Sequence, residues 1–466
     1  MDLPPIPLVI IVLVQLAGLA AATHAVMHTR TSQGAFAWAL GLALLPWVTL
    51  VPYLYLGRRR FHGYVDLHRR HRRELDLAPI RRDEDVPAEI QAHYGALCTM
   101  LDTGFHAGQQ LRLLVDGDAT FAAILDAIGR AEHTVLVQFF IFHDDGIGRR
   151  MQQALLERAA AGVAVCVLYD GIGSHALPRQ YVETLRAGGV AIHPFATLHR
   201  HNRFQLNFRN HRKIVVVDGA IGFVGGLNVG DEYLGLKPPL APWRDTHLEL
   251  RGPAVAELQR SFAEDWHWVT STLPPLHTAP LGRGSAHTLI AATGPADLQE
   301  SCSLFFVTAV NAARRRLWLA TPYFVPDSAV MAALQLAVFR GVDVRVLIPS
   351  RADHRTVFLS STLHARDAVR AGIRVFRHGP GFMHQKVLLV DDDTAAVGSM
   401  NLDSRSFRLN FEIGALNVDR SFAAAVEAML RNDLAHSVEI TEAEYDGAAW
   451  SRRLAMHVAR LFDPLL

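Results

Sequence analysis

The first sixty residues carry a different pattern from everything after them. From residue 3 to residue 23 nothing is charged, and 35–56 is again free of charge. Each run is long enough to cross a hydrocarbon core of about 30 Å as a helix. The pattern therefore predicts two transmembrane helices, over residues 4–26 and 35–56. Pro46 and Pro52 fall inside the second run, where a membrane helix tolerates proline if neighbours re-satisfy the backbone. A cleaved signal peptide is the competing reading of the first run. Asp2, the lack of a basic start and the second run that follows speak against it.

Beyond residue 108 the pattern alternates. Apolar, β-branched runs at 111–115, 134–142 and 163–169 predict strands, and segments of helical period at 120–131 and 148–161 separate them. The order returns later: a helix before Arg314-Arg315-Arg316, a strand at 317–321, a helix at 327–340 and a strand at 342–348. Gly341-Val342-Asp343-Val344 echoes Gly162-Val163-Ala164-Val165. Such alternation predicts an α/β fold, helices on a mixed sheet, made twice. The expected division is a membrane segment over 1–60, a basic linker over 61–108 and two halves over 109–275 and 276–466, parted near Pro274, Pro275 and Pro280.

Charge changes the picture only through its placement, because 46 Lys and Arg against 45 Asp and Glu leave a formal net charge of +1. Residues 57–73 hold Arg58, Arg59, Arg60, Arg69, Arg70, Arg72 and Arg73, whereas the connector between the apolar runs holds Arg30 alone. The positive-inside rule then puts the basic run, both termini and the catalytic part in the cytoplasm. The same arginines could grip anionic headgroups at roughly 1 kcal/mol each. Cys98, Cys166 and Cys302 lie far apart, form no zinc-ligand spacing and read as buried thiols in a reduced compartment. His193, His199 and His201 likewise make no metal-ligand set, and no metal or cofactor is expected.

The candidate chemistry is a pattern that occurs twice. His211-x-Lys213-x-x-x-x-Asp218 with Gly225-Gly226-x-Asn228 returns as His384-x-Lys386-x-x-x-x-Asp391 with Gly398-Ser399-x-Asn401, every equivalent pair 173 residues apart. On a strand, residues two apart share a face, so each copy presents one imidazole and one ammonium together. The glycines allow close backbone approach, and Asn228 and Asn401 add amide donors suited to phosphate oxygens. Asp218 and Asp391 complete the set of six catalytic candidates, although a carboxylate at a strand end after four apolar residues reads more simply as fixing a turn or an ion pair. The glycine-containing turn Asp170-Gly171-x-Gly173-Ser174 reads as a plain connection.

The doublet resembles the HKD motif of the phospholipase D superfamily, and its surroundings are most similar to bacterial cardiolipin synthases. Carrying that likeness are Asn210-His211-Arg212-Lys213, Trp243-Arg244-Asp245-Thr246-His247, the stretch from Thr321 to Asp327, and Asn401-Leu402-Asp403-Ser404-Arg405-Ser406 through Asn410-Phe411-Glu412. Gln138, in Val137-Gln138-Phe139-Phe140, departs from it, since the family more often has a glutamate there. The resemblance implies two pseudo-symmetric phospholipase D-like halves sharing one cleft, and a membrane-bound phosphatidyltransferase. It further implies His211 as nucleophile, His384 as acid and base, and cardiolipin and glycerol made from two phosphatidylglycerols through a phosphohistidine. Asp245 and Glu412 are the expected carboxylates behind the two rings. The competing readings are a hydrolytic phospholipase D, a synthase drawing its phosphatidyl group from phosphatidylethanolamine, a nuclease and a catalytically dead lipid-binding protein. Nucleic acid is not an expected partner, because the basic run abuts a membrane span rather than the motifs. The expected location is the bacterial inner membrane, and nothing in the pattern bears on oligomeric state.

Overall fold

The computed structural model describes residues 5–29, 32–57, 86–195, 207–278 and 284–465. The arginines at 58–73, Arg30, His199, His201 and Pro280 lie outside the described residues.

The N-terminal segment forms helices Pro5–His28, Ser32–Leu44 and Pro46–Leu56. Within the first, Leu8–His28 is the one stretch among the described residues long and apolar enough to cross a membrane. The second apolar run differs from the single helix expected of it. Pro46 has no N–H to give the Leu42 carbonyl, and its ring drives Leu45 to φ −133° and ψ 55°, so the run breaks into two helices. The break is stitched locally. Thr49 Oγ1 donates to the carbonyls of Gly41 (3.0 Å) and Leu45 (2.8 Å), and Gln15 reaches across to the carbonyl of Ala43 at 2.7 Å. Gly18 lies against the Leu42 carbonyl and the Pro46 ring, where a Cβ would not fit.

The catalytic part is built on one long sheet and a separate two-stranded one. Its first half supplies β1 (His106–Val115), β2 (Thr134–Phe139), β3 (Ala164–Asp170), β4 (Ala191–Phe195), β5 (Arg209–Asn210), β6 (Ile214–Val217), β7 (Ile221–Gly225), β8 (Trp243–Arg244) and β9 (Thr246–Arg251). The second supplies β10 (Ala286–Thr293), β11 (Arg316–Ala320), β12 (Asp343–Pro349), β13 (Arg374–His378), β14 (Phe382–Met383), β15 (Val387–Val390), β16 (Thr394–Gly398), β17 (Asn410–Val418) and β18 (Ser437–Glu439). Strand order runs β18-β13-β12-β11-β15-β16-β17-β10-β1-β9-β7-β6-β2-β3-β4. From the antiparallel β1–β10 junction outward, the two halves repeat one order: four antiparallel steps, then three parallel strands. The duplicated sequence has become a duplicated half-sheet, continuous across the join.

Helices cover both faces, as the wholly buried strands β6, β15 and β16 require. Helix Val255–Thr270 and helix Arg420–Ala435 hold equivalent places, each burying an amphipathic face against its own half and the other half's junction strand, and each carrying one buried aspartate, Asp265 or Asp433. Short strands cross between halves. β5, immediately before His211, pairs in parallel with the start of β17, and β14, immediately before His384, pairs in parallel with β8. These two reciprocal pairings position the site.

Candidate active site

Each crossing strand carries a motif histidine into the other half. The backbone N–H of His211 donates to the Phe411 carbonyl at 2.9 Å, and that of His384 to the Arg244 carbonyl at 2.8 Å. The next residue on each partner strand is an acid, so every ring meets a carboxylate from the opposite half. His211 Nδ1 lies 2.9 Å from Glu412 Oε2, and His384 Nδ1 lies 2.8 Å from Asp245 Oδ2. A carboxylate accepts only, which places a proton on each Nδ1 and leaves each Nε2 with a lone pair.

The carboxylates are themselves held. Glu412 accepts from Ser399 Oγ (2.5 Å), Ser406 Oγ (2.8 Å) and Asn410 Nδ2 (3.2 Å), and Asp245 accepts from the Thr246 amide at 2.7 Å. The glycine pair after β7 is explained by this packing, because a Cβ on Gly226 would run into the Asp245 carboxylate.

Both lysines are buried beside their histidines. Lys213 Nζ donates to the His211 carbonyl at 2.6 Å and stands over the Phe140 ring, and Lys386 Nζ donates to the His384 carbonyl. Lys386 Nζ also lies 2.9 Å from His384 Nδ1, but the proton there belongs to the bond with Asp245. Burial pulls Lys386 down to about 8, against the opposing pull of Asp245 and Glu412, and pulls Lys213 well below the ordinary lysine range. Burial likewise brings His211 down to about 4, with Glu412 resisting and both lysines assisting. His384 is held well below its ordinary value by burial, then by Lys386, Lys213 and His211. That each ring responds to the other half's lysine puts the two motifs in one electrostatic neighbourhood. Burial alone would raise Glu412, yet His211, Lys213 and the Ser399 hydroxyl keep it below the usual carboxylate range.

The remaining candidates divide. Asn228 is tied to the Tyr233 hydroxyl through Nδ2 (2.9 Å) and to the Ile141 amide through Oδ1 (3.1 Å), while Asn401 has a buried Oδ1 without a hydrogen-bond partner. Asp218 and Asp391, counted with the catalytic six on sequence, sit beyond the far ends of β6 and β15, seven residues from their histidines. Both are in the left-handed region, with φ of 51° and 49°. Asp218 accepts from the amides of Glu132, His133 and Thr134, and Asp391 from those of Arg314, Arg315 and Arg316, all at 2.8–3.0 Å. Their carboxylates anchor the chain entering β2 and β11 and do not reach the histidines. A groove of about 790 Å³ also lies at that remote end, between Asp391–Thr394 and helix Ala88–Leu101.

Comparison with known proteins meets this geometry at the same residues. The family model described as "Cardiolipin synthase, PLD-like domain" matches residues 124–266 and 306–434, one stretch for each motif. Cardiolipin synthase A of Pseudomonas aeruginosa (strain LESB58) is 57% identical over 97% of this chain and 95% of its own length. Cardiolipin synthase A of Pseudomonas putida (strain ATCC 700007 / DSM 6899 / JCM 31910 / BCRC 17059 / LMG 24140 / F1) is 54% identical over 97% of each. The chain belongs to the cardiolipin synthases of the phospholipase D superfamily. Membership makes it an enzyme, a phosphatidyltransferase. The crystal structure of phosphatidylserine synthase from Haemophilus influenzae Rd KW20 shares the fold, with a TM-score of 0.63 at 16% identity over 80% of this chain and all of that one.

Within this cardiolipin synthase fold lie residues that motif reading passed over. Asp265 gathers Gln138 Nε2 (2.8 Å), Asn210 Nδ2 (2.8 Å) and Arg212 Nη1 (2.9 Å), so the Gln138 departure keeps a polar contact behind motif one. Asp433 mirrors it, taking a two-pronged bond from Arg244 (2.8 and 2.9 Å) and one from Gln385 (2.8 Å). Asp170, in the turn read as a plain connection, accepts the Asn210 amide at 2.9 Å and so braces the approach to His211. Around His384 stand Trp243, Phe382 and Tyr323, and Tyr323 donates its hydroxyl to Asp353. The available signal was a charged residue on an apolar helix face, at Asp265 and Asp433.

Proposed function

We propose that the chain joins two phosphatidylglycerol molecules to give cardiolipin and glycerol, with His211 as nucleophile and His384 as acid and base. His211 Nε2 attacks phosphorus, the bond to the glycerol oxygen breaks, and His384 gives that oxygen its proton. A hydroxyl of the second phosphatidylglycerol then attacks the phosphohistidine, returning its own proton to His384 and freeing His211. Lys213 and Lys386 hold the non-bridging oxygens as charge shifts in the transition state, and Asn401, whose Oδ1 has no hydrogen-bond partner, is the freer of the two asparagines to turn its Nδ2 donor toward them. His384 rests neutral in the free enzyme. Burial holds its pKa down first and the two lysines add to that; an anionic phosphodiester between the rings offsets the lysines and lets it carry the proton it must deliver.

One observation carries the reading: two Nδ1–carboxylate pairs, made reciprocally across the halves, leave two basic Nε2 atoms in one neighbourhood. Glu412 and Asp245 are thus positioning residues, and Asp218 and Asp391 belong to the scaffold. The helices Ser32–Leu44 and Pro46–Leu56 together make the second membrane crossing in this reading, after Leu8–His28, with the catalytic halves on the cytoplasmic side of the bacterial inner membrane.

Incubation of the purified chain with glycerol-labelled phosphatidylglycerol tests it. Cardiolipin and free labelled glycerol are expected in equal amounts, whereas phosphatidic acid with no cardiolipin would make the chain a hydrolase. Acid-stable capture is not needed: quenching under alkaline conditions should leave a phosphatidyl adduct on His211 in peptide mass spectra, and an adduct on His384 instead would exchange the two roles.

A further inference from the structure

The last helix, Trp450–Arg460, has one face packed and one face bare. Met456 and Ala459 are buried where it lies on helix Arg355–Arg370, and Arg460 is fixed to Asp367 at 2.8 Å. On the opposite face runs a second apolar stripe at helical spacing, Trp450, Leu454 and Val458, continued by Leu461 and Phe462, all exposed, with Trp450 at 70% and Leu461 at 78%. A stripe of this kind on a charged helix is not needed for the fold, since the opposite face already docks it.

Two further observations say what covers it. From Gly447 to Phe462 the chain holds Arg452, Arg453 and Arg460 and no Asp or Glu; with Arg460 paired to Asp367, Arg452 and Arg453 are the cations this segment offers beside the stripe. Its end is also tied toward the site. Asp463, directly after the stripe, is bonded to Ser360 and to His364 (2.7 Å) of helix Arg355–Arg370, and residues 463–465 pack on helix Ser404–Arg408, which Asp403 caps two residues after Asn401. Helix Arg355–Arg370 starts two residues after Asp353, the acceptor of Tyr323, whose ring is 6.4 Å from that of His384.

We infer that residues 450–462 form an interfacial helix that beds into an anionic bilayer beside the mouth of the cleft. A tryptophan at one end, aliphatic side chains along the stripe and arginines at its border match a bilayer interface rather than a protein groove. The helix gives the catalytic halves a membrane contact separate from the N-terminal helices and sets the cleft mouth at headgroup depth. This use for substrate entry rests on phosphatidylglycerol being the substrate.

The test uses the full-length chain in phosphatidylglycerol-containing proteoliposomes. Leu454→Cys in a Cys98→Ser background, with Cys166 and Cys302 buried, takes an environment-sensitive fluorophore. Bromination of the lipid acyl chains is expected to quench it by roughly twofold. Emission unchanged by bromination overturns the inference, and unquenched emission that shifts with protein density gives the stripe to a second copy instead. In parallel, the combined Trp450→Asp, Leu454→Asp and Val458→Asp variant should raise KM, in bilayer mole fraction of phosphatidylglycerol, by roughly tenfold. Its turnover of a short-chain, monomeric phosphatidylglycerol should stay at the parent level, and an equal loss in both assays counts against a bilayer role. A parent chain that transfers nothing in either assay refutes the substrate, while the quenching still decides the surface.

Discussion

At the scale of single residues, the site separates groups that hold rings from groups that hold backbone. Glu412→Gln and Asp245→Asn keep shape and remove the charge that fixes each tautomer, so turnover should fall by about 10² or more with little change in melting temperature. His211 held at about 4 also sets the sign of a pH effect. Attack needs the neutral ring, so the acid limb of kcat/KM should lie near 4 rather than at the ordinary imidazole value of about 6.5. Removing the carboxylate that resists this depression, in Glu412→Gln, should move the limb further to acid. The same depression is a stability statement. The unfolded chain takes up this proton near pH 6.5 and the folded chain does not, so stability present above about 6.5 is lost as pH falls toward 4. Asp391→Ala should behave in the opposite manner, stripping three amides of their acceptor and costing about 2–4 kcal/mol in chemical denaturation while kcat per folded molecule holds.

Elements show where the sequence was transparent and where it was not. Motif strands β6 and β15 coincide with the apolar runs that predicted them, because four consecutive buried β-branched or leucine residues between a His-x-Lys and an Asp leave little choice. The identity of Glu412 and Asp245 as acids near the site was legible; which ring each would meet was not, since β5–β17 and β8–β14 are two-residue pairings too short to announce themselves in any pattern. Asp265 and Asp433 were hidden for a related reason, their partners being some fifty residues away or in the other half. The proline-broken run at Leu45 is a case where local chemistry prevailed over hydropathy. There, Gly18→Val should force the first two helices apart at the Leu42 carbonyl, lowering the thermal stability of the detergent-solubilised chain without touching kcat on monomeric substrate.

Across the whole molecule, neither half owns a complete histidine. Cutting the chain in the segment before β10 and producing residues 1–278 or 284–466 alone should give no turnover, because His211 then lacks Glu412 and His384 lacks Asp245. Co-expression should restore cardiolipin formation, measured by lipid mass spectrometry, through the β1–β10 junction and the crossed strands. Arg244 spans the same divide, bonding Asp116 at 2.9 Å in its own half and Asp433 in the other, so its loss should weaken the reassembled pair before it weakens the intact chain.

The crossed strands also bear on origins. Contacts in which one copy's segment grips the other's, and is gripped in return by the same segment, are those of a self-complementary dimer about a two-fold axis. A single-copy forebear would have had to associate before it could do chemistry. Fusion then released the copies to diverge at matched places, leaving Arg212 on Asp265 where Gln385 stands on Asp433, and a glutamate behind one ring where an aspartate stands behind its twin.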